Sequence, residues 1–222
     1  VKRLLVIAPH PDDETLGCGG TLLRHIANGD EVHWLIVTAI TTEIGFSEER
    51  VARRDAEIKT VAKTYGFAGV HQASFPTMRL DCIGKLQLID AIGSVVQKIK
   101  PDTLLVPYRN DAHSDHAAVF DAAVSCSKSF RYPSVRSVYV YETLSETEFG
   151  LRTDDPGFRP NLFVDISNFL EQKLQIMRMF EGEMLDFPFP RSETCIRAQA
   201  ALRGSQAGVH AAESFMILKE IR

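Results

Sequence analysis

VIAPHPDDETLGCGG, residues 6–20, breaks off an apolar run with a histidine, two adjacent aspartates and a glutamate, and then a glycine cluster. The run that it ends, Leu4–Ala8, has the length of a buried strand. Like charges side by side repel, and burying them costs several kcal/mol each unless a cation or hydrogen-bond donors meet them. The stretch is therefore either exposed or gathered around a cation.

The rest of the chain narrows the choice. With 222 residues, 45% of them hydrophobic, and a formal net charge of −4, it fits one substantial core, a single domain over residues 1–222. The mild negative charge and scattered Lys and Arg argue against a nucleic-acid partner. Cys18, Cys82, Cys126 and Cys195 are widely spaced with no CxxC pair, so neither a disulfide framework nor a thiolate zinc site is expected. No leader pattern precedes the first strand, and no apolar run reaches the roughly 18–20 residues of a membrane helix. A cytoplasmic protein without a membrane span is expected.

Apolar runs of strand length recur at Arg3–Ala8, Val32–Thr38, Thr103–Pro107, Ser137–Tyr141 and Leu162–Asp165. Helical periodicity fills Thr15–Asn28, Ser47–Tyr65 and Lys85–Lys98, and further helices are expected near Asn168–Glu181 and Ser192–Leu202. Strands alternating with helices imply right-handed βαβ units. The expected fold class is α/β, a single Rossmann-like domain whose mostly parallel sheet carries helices on both faces. Ligands of such sheets bind beyond the carboxyl ends of the strands, at a topological switch point. His10 to Glu14 follow the first strand and belong on that edge.

The strand Thr103–Pro107 is followed by YRNDAHSDHAAV, residues 108–119, in the same order of strand, His/Asp burst and helix. In a parallel sheet both bursts emerge on one edge. Two imidazoles and a carboxylate, His10, His116 and Asp13, each about 2 Å from a Zn²⁺, make a three-ligand site with a fourth position open for water, the mark of a catalytic centre. The N-terminus of a helix capped by Ser114 would keep His116 neutral, while His113, with Asp115 nearby, is the better imidazolium. A zinc-bound water is acidified towards neutrality, Asp12 stands beside it as general base, and zinc with a cationic His113 would stabilise an oxyanion. The chemistry that follows is metal-assisted amide hydrolysis.

APHPDDETLGCGG together with DAHSDH resembles the PIG-L/LmbE-like superfamily of zinc-dependent de-N-acetylases, which remove acetyl groups from N-acetylglucosamine units. RRDAEIKTVAKTYG and Asp81 in FPTMRLD are similar to further family signals. The resemblance implies His10, Asp13 and His116 as zinc ligands, Asp12 as general base and His113 as electrostatic stabiliser. It also implies Arg54 and Asp81 as groups holding sugar hydroxyls, and a small N-acetylated sugar or glycoconjugate as the substrate. Arg191, Arg203, His210 and Glu213 are weaker candidates from a region that varies with substrate. The resemblance leaves subunit number open, a homo-oligomer included.

Blander readings stand beside these. Glu14 is a hydrogen-bonding partner behind a ligand histidine or a plain first-turn acid. Asp111 and Asp115 read equally as structural hydrogen-bonding groups. Arg54 on spacing alone is a surface charge, and Cys18 is small buried packing rather than a nucleophile. Gly17, Gly19 and Gly20 follow the acids and do not open a phosphate-binding turn, which weakens a nucleotide-binding module. A metal-dependent phosphohydrolase acting on a sugar phosphate or nucleotide is the alternative function.

Overall fold

A computed structural model describes residues 1–222. Its elements are β1 (Arg3–Ala8), α1 (Asp13–Ala27), β2 (Glu31–Ala39), α2 (Glu48–Tyr65), β3 (Gly69–Pro76), α3 (Lys85–Ile99), β4 (Thr103–Pro107), α4 (Ser114–Ser125), β5 (Ser137–Tyr141), β6 (Leu162–Asp165), α5 (Leu170–Met177), α6 (Glu193–Ala207) and β7 (Ala212–Glu220). No helix is long and apolar enough to cross a membrane.

All seven strands join one sheet in the order β3-β2-β1-β4-β5-β7-β6. The first five pair in parallel, and β7 runs antiparallel to both β5 and β6. The mostly parallel expectation holds. Two strands lie outside the apolar runs that the sequence shows. β3 is an edge strand with alternating burial, and its polar His71, Gln72 and Ser74 hide it from a search for continuous apolar residues. β7 buries only its first half.

Side chains from the two faces of the central strands separate into two cores. Val6, Trp34 and Ile36 meet α1, α2 and α5 through Leu22, Val61 and Leu174. Leu5, Leu35 and Val106 meet α3 and α4 through Ile92, Val96 and Val119. Because β1 pairs with β2 on one side and β4 on the other, the winding reverses between them and a crevice opens at their carboxyl ends.

The glycines after the acids let α1 lie close to its neighbours. A Cβ on Gly17 would stand 2.3 Å from the Tyr141 ring, and one on Gly20 would stand 2.7 Å from Ile166. The helix also breaks at Cys18, whose φ is −146°. The amides of Gly20 and Thr21, just past the break, donate to the Glu213 carboxylate at 2.9 and 2.7 Å. Glu213 is paired in turn with the buried Lys173 at 2.7 Å. Four of the opening stretch's features, strand, turn, glycines and kink, thus serve to seat the acids at the crevice.

Candidate active site

His10 leaves the end of β1 with its backbone N–H donating to Asp13 Oδ2 at 2.8 Å, and its Nδ1 lies 3.2 Å from the same oxygen. Asp13 is the first residue of α1, so the acid sits where the helix dipole favours negative charge. From the far side of the crevice, α4 brings His116 Nε2 within 3.3 Å of Asp13 Oδ2. Ligand atoms of His10, Asp13 and His116 all lie within 4.8 Å of one another.

His116 Nε2 is buried and has no hydrogen-bond partner. Its other nitrogen, Nδ1, is 2.7 Å from Asp111 Oδ2, and Asp111 Oδ1 accepts from Thr147 Oγ1 at 2.6 Å. An imidazole fixed from behind by a carboxylate, with its free nitrogen aimed at a second carboxylate, is the donor set that a divalent cation takes. His10 repeats the pattern, its Nε2 lying 3.0 Å from Asp115 Oδ2. A second group, His10, His113 and Asp115, is also closely spaced. There, however, Asp115 is occupied by the amides of Met78 and Leu80 at 2.8 and 3.1 Å, which leaves the first group as the candidate centre.

The charges support this choice. Burial opposes the imidazolium at His10 and His116, but Asp115 and Asp13 for the first, and Asp13 and Asp111 for the second, raise them to about 9 and about 10. The neutral His116 expected from the helix dipole therefore does not hold in the ion-free chain. Two carboxylates outweigh the end of one helix. Asp13 stays well below the usual carboxylate range despite its burial, because His116 and His10 face it.

Asp12 is 4% exposed, and burial with the neighbouring Asp13 pushes its carboxyl up to about 7 against the pull of Arg191. Its φ of 137° is a conformation that costs a non-glycine residue energy. Glu14 helps to hold it, accepting from the Asp12 amide at 3.1 Å and from the Thr15 hydroxyl at 2.6 Å. Glu14 is thus neither behind a histidine nor an ordinary first-turn acid. Burial raises it to about 8.

His113, and not Ser114, caps α4, with its Nδ1 accepting from the Asp115 amide at 3.1 Å. Burial and the facing His10 lower its pKa to about 4. The imidazolium expected at this position is corrected to a neutral ring whose proton sits on Nε2.

A cavity of about 250 Å³ opens over these groups, with His10, Asp12, Arg54, His113, Glu183 and Arg191 in its lining. The sequence profile described as GlcNAc-PI de-N-acetylase, PIG-L, matches residues 5–127, a span that carries both His/Asp bursts and the crevice between them. The chain belongs to the PIG-L family. It is 27% identical to diacetylchitobiose deacetylase from Thermococcus kodakarensis over 228 residues, covering all of this chain and 85% of that protein. The N,N'-diacetylchitobiose deacetylase of Pyrococcus horikoshii superposes with a TM-score of 0.79 at 23% identity, over 98% of this chain and 84% of that one. GalB, a 4-carboxy-2-hydroxymuconate hydratase from Pseudomonas putida KT2440, superposes at 0.75 with 18% identity, over 100% and 98% of the two chains, and shares the fold alone. The phosphohydrolase alternative finds no support among the PIG-L relatives.

Other PIG-L residues read from the sequence fall in different places. Arg54 reaches the cavity, but its guanidinium donates to the Pro11 carbonyl at 2.9 Å and pairs with Glu57 and Glu183, so it braces the acidic turn. Asp81 lies exposed in a short 3-10 turn, outside the lining of this cavity. Of the four C-terminal candidates, Arg191 alone lines the cavity, 2.8 Å from Asp12 and 3.0 Å from Glu183. Arg203 pairs with Glu142 and His210 is exposed, while Glu213 holds the α1 break. Glu183 and Thr147 are missed in the sequence because they follow no strand and carry no motif.

Proposed function

We propose that the chain is a metal-dependent hydrolase that removes the acetyl group from an N-acetylated amino sugar of the N-acetylglucosamine type, within a glycoconjugate or its precursor. His10, Asp13 and His116 hold the metal, which we take to be Zn²⁺. The observation that carries this reading is the buried, unpartnered His116 Nε2 facing Asp13 and His10 at the switch point, in a chain of the PIG-L family. The name of its Thermococcus kodakarensis relative, diacetylchitobiose deacetylase, supports the substrate class.

When bound, the ion supplies Lewis-acid charge to water and to the substrate carbonyl. The chain's own groups do the rest. Asp12 accepts the proton of the attacking water, and its raised pKa suits it to return that proton to the leaving amine near neutral pH. His113, as a neutral ring anchored through Nδ1, donates from Nε2 to the oxygen on which charge develops. Glu14 and Arg191 keep Asp12 in its strained position, and Asp111 and Asp115 fix the ring orientations of His116 and His10.

The test is acetate release by the zinc-loaded protein from N,N'-diacetylchitobiose and other N-acetylglucosaminyl saccharides. Asp12→Ala is expected to lower kcat by roughly 10²–10⁴ while metal content is unchanged. Absence of acetate from every such substrate would overturn the function, and full turnover in Asp12→Ala would remove that residue from its role.

A further inference from the structure

Two histidines away from the crevice repeat the ring spacing and tilt of the two histidines in the candidate metal centre. His33 of β2 and His71 of β3 lie on one face of the sheet edge, with His33 opposite Gly69 and Leu35 opposite His71 in the parallel register. Their ring centroids are 5.7 Å apart at an interplanar angle of 35°. The corresponding values for His10 and His116 are 5.6 Å and 36°. His33 Nδ1 and His71 Nε2 are buried and have no hydrogen-bond partner, the condition also found at His116 Nε2.

Both nitrogens look onto the same small space. A Cβ on Gly69 would lie 2.8 Å from His33 Nδ1 and 3.3 Å from His71 Nε2, so only a glycine leaves the gap between them open. Two unpaired imidazole nitrogens beside one open space lose solvation without gaining a hydrogen bond, and a shared cation would satisfy both. Both residues are only half-buried, so the pair lies near the protein surface.

We propose that His33 and His71 form a second transition-metal site on the β2–β3 edge, for a borderline divalent cation of the Zn²⁺, Ni²⁺ or Cu²⁺ class. Imidazole ligands suit these ions. With two protein ligands the remaining positions belong to water, so the ion exchanges more readily than in a three-ligand centre. Burial lowers the pKa of both rings, which keeps their lone pairs available. The nearby charges are of both signs: Glu31, held by Arg3 at 2.7 Å, adjoins His33, and Lys98 of α3 faces His71. Thr38, which lines the catalytic cavity, lies five residues further along β2, or ~16 Å at the usual rise per residue. The two sites are separate, and this inference does not depend on the reaction proposed above.

The experiment is equilibrium dialysis of the full chain against Zn²⁺, with electron paramagnetic resonance of the Cu²⁺-loaded protein beside it. The wild type is expected to bind one equivalent more than His33→Gln/His71→Gln, with the double variant's deacetylase activity unchanged. Gly69→Ala, which fills the gap while keeping both rings, is expected to lose the same equivalent. The Cu²⁺ spectrum is expected to contain, beside the component from His10 and His116, a second nitrogen-coordinated component that disappears in His71→Gln. Equal stoichiometry in wild type and double variant, or a Cu²⁺ spectrum indifferent to His71→Gln, would overturn the proposal whether or not acetate is released.

Discussion

His116 can be a ligand only if its ring is held with Nε2 forward, and Asp111 holds it there through Nδ1. Asp111→Asn replaces an acceptor-only group by one that can turn a donor towards the ring. Removing such a partner is expected to weaken zinc binding about 10–100-fold, measured by competition with a chromophoric chelator. The acid–base state of the ion-free site sets a second expectation. His10 and His116, raised to about 9 and about 10, are imidazolium at pH 7, whereas a metal ligand must be neutral. Binding therefore expels protons, and affinity rises as pH climbs towards these values. Zinc titrations in buffers of different ionisation enthalpy are expected to show proton release at pH 7, and an uptake heat independent of buffer would count against it. The grouping of His10, Asp13 and His116 is legible in the sequence, because His10 and Asp13 follow β1 directly and His116 opens α4 after β4. The protonation of His113 is not. It depends on burial and on His10 facing it across the crevice, a contact between residues far apart in the chain.

At the scale of elements, α1 shows how packing sets the position of the acidic turn. The helix lies close enough to β5 and the Ile166 segment that Gly17 and Gly20 have no room for a side chain, and it breaks at Cys18 with its freed amides taken up by Glu213. Lys173 donates to Glu213 and to the Leu16 carbonyl at 2.7 and 2.8 Å, tying α5 to the same break. Glu213→Ala would leave a buried ammonium without its carboxylate. Breaking a buried pair in this way costs about 3–5 kcal/mol, which for a chain of this size lowers the thermal midpoint by about 10 °C. A midpoint within a degree or two of wild type in calorimetry would show that the break is held by other contacts. Elements with continuous apolar runs or clear caps are readable from sequence, as Ser47 and Gly66 are at the two ends of α2. β3 and the antiparallel β7 are not, since an edge strand needs only alternate apolar residues and a strand's direction is set by its partner.

The whole molecule brings together two halves of different character. Residues 5–127, which match the PIG-L profile, build the switch point and supply the candidate ligands, while the later residues reach back over the cavity with Glu183 and Arg191. The elements of the second half are readable in sequence, except β7, but its contribution to the cavity shows there only as the weaker candidate Arg191, because it is made by charge pairing across long separations, Arg191 to Asp12 and Glu183 to Arg54, and not by local spacing. An ion shared by the β1 turn and α4 would close the crevice between the two sides of the sheet. Since it binds the folded chain and not the unfolded one, zinc at about 100 times its Kd is expected to add about 2.7 kcal/mol of stability. Comparing chelated and zinc-loaded protein in the His33→Gln/His71→Gln background isolates this site. There the thermal midpoint should fall on chelation, the Asp12→Ala variant should keep the fall because Asp12 is outside the proposed ligand set, and His116→Ala should lose it. A chelator response that survives His116→Ala would place the stabilising ion elsewhere than between these two loops.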